Sequence, residues 1–372
     1  MINPPKSGFS CFITDLVYNF NFSIKFGDKI LEMKIIFAGT ASFAVPSLKN
    51  LIGQSQHRII EVITQPDRPQ GRGLRETQSP VKKLALEHQS FGKASVDSAE
   101  PLRTARLAEP LKIAQPESIN QSEVVQKISE VRPDIMVVAA YGQKIGAALR
   151  AIPRYGCVNI HASLLPRYRG AAPVAYAILN GEKETGVTIF KIVEEMDAGP
   201  IMAQDSLMIK EKETAGNLTG RLAQLGADLL LKTLVTIETG RFNLTEQDQS
   251  QVTYAPKLKK TDGQIDWHKT APAINNLIRA MQPWPGGYTF WESEKRGLVK
   301  INILDGETID YNGGSIAPGT ISKIDKKEML IVTGQGALNI TRLQPSGQRV
   351  LTAQEFVNGY RLKAGDKFKN AG

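Results

Sequence analysis

Asp134-Ile-Met-Val-Val-Ala-Ala-Tyr141 is an unbroken apolar run behind one acidic residue. Strict alternation would mark a strand with one wet face. Continuous apolar character over this length predicts a strand buried on both faces, as in a parallel sheet covered by helices. Upstream, Lys34-Ile-Ile-Phe-Ala38 is a second such run, ended by Gly39, and helical spacing follows at Ala44, Leu48 and Leu51. Arg58 to Thr64 then reads as another strand, which completes a βαβ rhythm. Between these runs, residues 79–89 read as helix, Leu111 to Ala114 as a short strand and residues near 120–130 as a further helix. Downstream, Gly156-Cys-Val-Asn-Ile-His161 predicts a second central strand, and Pro173 opens a helix over 173–180 from the favoured first-turn position. Thr185 to Lys191 reads as a strand. Leu218, Leu222, Leu225, Leu229 and Leu234 then recur at helix spacing up to a stop at Gly240. The expectation is a Rossmann-like, parallel-sheet α/β catalytic domain over residues 33–240.

Beyond it the pattern changes. Residues 241–268 are polar, carry Lys257, Lys259 and Lys260, and read as a linker. After a helix around 271–281, short runs at Leu298–Leu304, Met329–Val332 and Leu338–Leu343 are separated by glycine-bearing turns. That predicts a smaller, OB-like β-barrel domain over 269–372. Two domains also suit a length of 372 residues.

Composition narrows the classes. With 41% hydrophobic and 22% charged residues, whole-chain disorder is excluded. The net charge is +9, and residues 241–372 supply five of those charges; this is compatible with an anionic partner and does not require one. There are two cysteines, Cys11 and Cys157, and no clustered Cys/His pattern, so no metal is expected. No run is long enough to span a bilayer, so no membrane association is expected either. A cytoplasmic monomer is the expectation. Residues 1–32 hold Phe9, Phe12, Tyr18, Phe20, Phe22 and Phe26, but Asp15, Asn19 and Asn21 interrupt them, which fits a signal peptide poorly. They are expected to be an extension preceding a start at Met33.

Of four histidines, His57 and His88 sit near helix ends or turns and His268 at the domain junction. His161 ends a buried strand, where ligands bind in open parallel sheets. Asn159, two residues earlier, points to the same face. Such a pair is either an internal hydrogen-bonded couple or a site. The following Ser163-Leu-Leu-Pro-Arg-Tyr-Arg-Gly170 either holds an anion or a ring, or is a solvated basic turn. Asp197 is a turn aspartate that can equally bond its own backbone. Gln65 to Gly73 reads as an exposed loop. Neither GxGxxG nor GxxxxGK[ST] occurs, which weighs against dehydrogenase and NTPase chemistry.

Asn159-Ile-His161, Ser163-Leu-Leu-Pro166, Arg167-Tyr-Arg-Gly-Ala-Ala-Pro173 and the downstream Asp197 resemble the folate-dependent formyltransferase family. Phe37-Ala-Gly-Thr40, Gln65-Pro-Asp-Arg-Pro69, Ala140-Tyr-Gly142, Gly263-Gln-Ile-Asp-Trp267 and Pro283-Trp-Pro-Gly286 extend the likeness to members that act on methionyl-initiator tRNA. The resemblance covers residues 34–360. It implies Asn159, His161 and Asp197 as catalytic residues and 10-formyltetrahydrofolate as formyl donor. It places that folate against Ser163, Leu164, Leu165 and Pro166 and near Val138, Tyr141 and Gly142. Arg68, Arg72, Arg167, Arg169, Lys257, Lys259 and Lys260 are the expected tRNA contacts. The chain departs from the family in residues 1–32, in a segment near 90–110 that is longer by about twenty residues, and at Tyr168, where many relatives carry tryptophan. Three rivals stand beside this reading: a transferase acting on a nucleotide-linked amino sugar, a non-catalytic RNA-binding protein, and a nicotinamide-dependent oxidoreductase, which rests on α/β rhythm alone.

Overall fold

A computed structural model describes residues 32–70, 75–94, 110–293, 297–311, 314–325 and 328–369. The expected N-terminal extension (but for Glu32), Arg72 and residues 95–109 of the longer segment lie outside the described residues.

The first sheet is built from β1 (Lys34–Gly39), β2 (Arg58–Ile63), β5 (Ile113–Ala114), β6 (Ile135–Ala139), β7 (Cys157–His161), β8 (Glu184–Lys191) and β9 (Ile201–Met208), in the order β5-β2-β1-β6-β7-β8-β9. The strands from β5 to β7 are parallel, as their apolar runs predict. Two faces are covered. Ile35, Phe37, Val137 and Ile160 pack under α1 (Val45–Gln54), α2 (Pro80–Ala94), α5 (Pro173–Leu179) and α6 (Ala215–Glu238). Ile36, Ala38, Met136 and Cys157 face α3 (Ser122–Val131) and α4 (Ala147–Arg150). Asn159 and His161 alternate with Val158 and Ile160, so they lie on this second face at the C-terminal end of β7.

The expected parallel sheet is corrected at one edge. Strand β8 runs antiparallel to β7, and β9 antiparallel to β8. Helix α5, the one helix in that connection, has only seven residues, about 10 Å. The chain re-enters beside β7 from the end at which it left. The loop reading of residues 65–73 is also corrected: β3 (Arg68–Gln70) pairs with β4 (Arg75–Thr77) in a small hairpin. Helix α2 runs on to Ala94, into the segment read as insertion.

The second sheet contains β10 (Gly287–Ser293), β11 (Gly297–Ile309), β12 (Ile321–Ile324), β13 (Met329–Val332), β14 (Ala337–Pro345) and β16 (Phe368–Lys369), antiparallel in the order β12-β13-β14-β11-β10-β16, with β15 (Leu351–Thr352) paired to β14. Its two ends meet. Thr320 bridges Lys367, Phe368 N–H donates to Gly319 O at 2.8 Å and Ile321 N–H to Asp366 O at 2.8 Å. The curled sheet thereby closes on a core of Trp267, Ile301, Ile331, Leu338, Phe356 and Phe368. Helix α7 (Ala271–Ala280) packs on β11 with Ile274 and Ile278 and meets α5 of the first domain.

Residues 241–268 are stitched to both sides rather than strung between them. Thr245 extends the first sheet at Ile201, Tyr254 pairs with Arg169, and Trp267 is buried in the second core with its Nε1 donating to Thr289. Among the described residues no helix is long and apolar enough to cross a membrane.

Candidate active site

Strand β8 descends beside β7 until Lys191 pairs with Val158, well below His161. Residues 192–200 then fold back over the sheet face before β9 begins. The excursion needs Gly199: a Cβ there would stand 1.7 Å from Lys191 O. Glu194 ties it to Lys144 and Arg150, which hold the Glu194 carboxyl down to about 2. Asp197, at φ +52°, sits in the left-handed region. Its Oδ2 accepts the Gly170 N–H at 2.8 Å and faces His161 Nδ1 at 3.7 Å.

His161 is buried. Its Nε2 lies 2.9 Å from Tyr168 O. A carbonyl only accepts, so Nε2 carries the hydrogen and Nδ1 is the nitrogen turned toward Asp197. The 3.7 Å gap exceeds hydrogen-bond length. Asn159 is half-buried, and among the described residues its carboxamide takes no hydrogen-bond partner. The internal-pair reading of Asn159 with His161 therefore does not describe this site. A fixed imidazole and a carboxylate with spare acceptor capacity face each other at the end of a central strand, and an unused amide N–H lies two residues back on the same face. That set can stabilise an oxyanion and move a proton.

The loop after His161 is rigid for reasons local to it. Ser163 Oγ donates to Arg167 O at 2.7 Å, Thr188 Oγ1 donates to Ser163 O at 2.7 Å, and Gln204 Nε2 donates to Leu165 O at 2.9 Å. Tyr168 is 5% exposed at φ +62°, its hydroxyl bonded to Glu182 Oε1 at 2.6 Å. Burial and then Glu182 push its phenol above the ordinary range. The connecting segment grips the other side: Thr253 Oγ1 accepts the Tyr168 N–H, and the Arg169 N–H donates to Thr253 O.

Several expected contacts take other roles. Val138, Tyr141, Ser163 and Leu165 are buried, so their side chains build walls; Leu164, Pro166 and the exposed Gly142 offer surface. The Tyr141 ring lies in the core under α3 and α4, where burial pushes its hydroxyl up to about 12. Its carbonyl accepts from Thr40 Oγ1 and Gln65 Nε2. Arg169 is corrected as an RNA contact. It is 1% exposed, and its guanidinium is committed to Gln247 and Glu195. Arg167 is half-exposed and paired with Glu182. Arg68 is exposed and paired with Glu117 at 2.6 Å, beside Asp67, whose carboxyl is held below its usual range by Lys82 and Gln115. Lys257, Lys259 and Lys260 are exposed. Gln247 and Thr253, which hold the site together, lie in a polar stretch without periodicity, and no local signal picks them out.

Comparison with known proteins identifies the family. The family profile described as formyl transferase matches residues 33–234, and that described as formyl transferase, C-terminal domain, matches residues 257–361. The methionyl-tRNA formyltransferase of Methylobacillus flagellatus is 42% identical over 337 residues, covering 90% of this chain and 99% of that protein. Its counterpart in Caldanaerobacter subterraneus is 38% identical over 338 residues, covering 91% of this chain and all of that protein. Among solved structures, an N-formyltransferase from Helicobacter canadensis, in complex with folinic acid and dTDP-3-aminofucose, superposes with a TM-score of 0.57 at 19% identity. That match covers 83% of this chain and 98% of the other. At that identity the likeness is one of fold.

Proposed function

This chain belongs to the methionyl-tRNA formyltransferase family, and from that membership we propose that it moves the formyl group of 10-formyltetrahydrofolate onto the α-amino group of methionyl-initiator tRNA, for translation initiation. The observation that carries the proposal is Asp197 facing His161 at the end of β7, with Asn159 on the same face of that strand, in a chain about two-fifths identical to those enzymes over nine-tenths of its length.

The amine nitrogen forms a bond to the formyl carbon, the bond from that carbon to N10 breaks, and one amine proton ends on N10. Products are the formylated aminoacyl-tRNA and tetrahydrofolate. A free α-amino group titrates near ~8, and a neighbouring ester lowers that, so much of the nucleophile is already neutral. The site's task is the charge that develops on the formyl oxygen. Asn159 offers an N–H with no competing partner among the described residues. His161 is pinned through Nε2 to Tyr168 O, which leaves the Nδ1 edge facing the gap beside Asp197. Asp197 retains acceptor capacity after the Gly170 bond and takes the amine proton, directly or through a water.

In this reading the donor's ring lies at the end of β6, where Ala140 holds φ +43° and Gly142 φ +92°, with Leu164 and Pro166 of the loop after β7 as further contacts. Exposed Lys257, Lys259 and Lys260, with Arg68 on the 68–77 hairpin, supply positive charge for RNA phosphates. An assay of the full chain with charged initiator tRNA and 10-formyltetrahydrofolate, run beside dTDP-linked amino sugars, tests the reading. Turnover of the tRNA is expected, and turnover of a sugar alone would replace it with the sugar transferase.

A further inference from the structure

We propose that Gln247 is a positioning residue for this reaction, one that sets the turn presenting Asp197 to His161. Its neighbours Glu246 and Asp248 are exposed, yet Gln247 is 5% exposed and turned inward. Its Nε2 donates to Asp197 O at 2.8 Å and to Gly199 O at 2.7 Å. Its Oε1 accepts from Arg169 Nε at 3.0 Å and from Arg169 Nη2 at 2.8 Å. The amide's full hydrogen-bonding capacity is used, and its orientation is fixed by its partners. Reversing it would set the amide N–H₂ against a buried guanidinium and its oxygen against two carbonyls.

The geometry at stake is unusual. Asp197 holds a left-handed backbone, uncommon outside glycine although aspartate tolerates it better than most residues. The carbonyls on either side of that turn are the two that Gln247 ties. Arg169, the other partner, belongs to the loop whose Tyr168 carbonyl accepts His161 Nε2 and whose Gly170 N–H donates to Asp197. One amide thus joins the segment that fixes the imidazole to the segment that carries the carboxylate. The spacing between His161 and Asp197 follows from that joint. Gln247 lies in the segment connecting the two domains, so this amide couples that segment to the Asp197 turn.

The kinetic arm of the test rests on the formyl-transfer reading; the spectroscopic arm does not. In the full chain, Gln247→Glu keeps the size of the side chain and still accepts from Arg169. It replaces the donor to two carbonyls with a carboxylate oxygen. Gln247→Met removes both functions. With methionyl-tRNA and 10-formyltetrahydrofolate, kcat should fall about 10²-fold in both variants, while KM for each substrate stays close to the unmodified value, since the loss is one of alignment. Without any substrate, the imidazole nitrogen resonances of His161 should shift in both. Should Gln247→Met fail to fold, the near-isosteric Gln247→Glu decides. A folded variant with unchanged His161 resonances, or with kcat within about twofold of the unmodified chain, overturns the proposal. If the unmodified chain does not turn over methionyl-tRNA, the functional reading fails and the resonances still judge Gln247.

Discussion

Asp197 Oδ2 stands 3.7 Å from His161 Nδ1 while accepting the Gly170 N–H at 2.8 Å. The carboxylate is anchored by the loop, and its approach to the imidazole stops short of hydrogen-bond length. Charge and anchoring can therefore be separated. Asp197→Asn keeps an oxygen for Gly170 and loses the negative charge. The formyl-transfer step in a single turnover should slow by about 10²–10⁴, with the melting temperature nearly unchanged. A rate close to that of the unmodified chain would remove Asp197 as the proton acceptor.

Asn159 offers the complementary case. Its carboxamide bonds no described residue, so truncation removes nothing that folding uses. Asn159→Ala should cost about 3–4 kcal/mol of barrier, or 10²–10³ in kcat, with a stability change under about 1 kcal/mol. Kinetics and thermal melts on one preparation check both. A large drop in melting temperature would assign Asn159 a structural role instead.

The central strands were legible because burial on both faces writes a continuous apolar run, as in residues 135–139. Strand β9 was not: its burial alternates and it carries Gln204, Asp205 and Ser206, so it reads as polar chain. The antiparallel edge was hidden for another reason, since an apolar run does not record the direction in which its strand crosses the sheet. Within the site, the end of β7 marked His161 and Asn159 as a plausible pair, and only the family resemblance singled out Asp197. Arg167 and Arg169 look equivalent in sequence, yet one is half-exposed and the other buried, because alternate sides of the same loop meet solvent and the connecting segment. The partners of Arg169 include Gln247 and Gln249, and no local pattern encodes a bond across that separation.

Gly170 tests the grip of the connecting segment. It holds φ +122°, and a Cβ there would stand 2.6 Å from the Ala255 carbonyl oxygen. Backbone cannot yield as a flexible side chain can. Gly170→Ala should therefore push residues 253–255 away from the loop and strain φ together, at about 1–3 kcal/mol of stability. The same shift moves the N–H that anchors Asp197, so kcat should fall as well. Urea unfolding and steady-state assays measure the two. Loss of stability with full kcat would show that Asp197 does not depend on this anchor.

Acceptor binding should be governed by unpaired lysines near the domain junction. Lys259 and Lys260 are exposed, and Lys300 lies with its ammonium 3.5 Å from the Tyr288 ring centroid. Burial first and the charge of Lys260 second hold Lys300 below the ordinary lysine range. Among the described residues none of the three ammonium groups has an acidic partner, Lys259 meeting Asp262 only through its backbone N–H. Like charges left this close are relieved by an anion, and a phosphate supplies one. Replacing the three with glutamine should raise KM for the tRNA, leave KM for the folate alone, and leave kcat at saturating tRNA unchanged. The dependence of log KM on log salt should also flatten, by roughly 0.7–0.9 for each phosphate that the variant no longer neutralises. Arg68 should contribute less than these lysines, because Glu117 already occupies it. A triple variant with an unaltered salt slope would place the RNA elsewhere on the molecule.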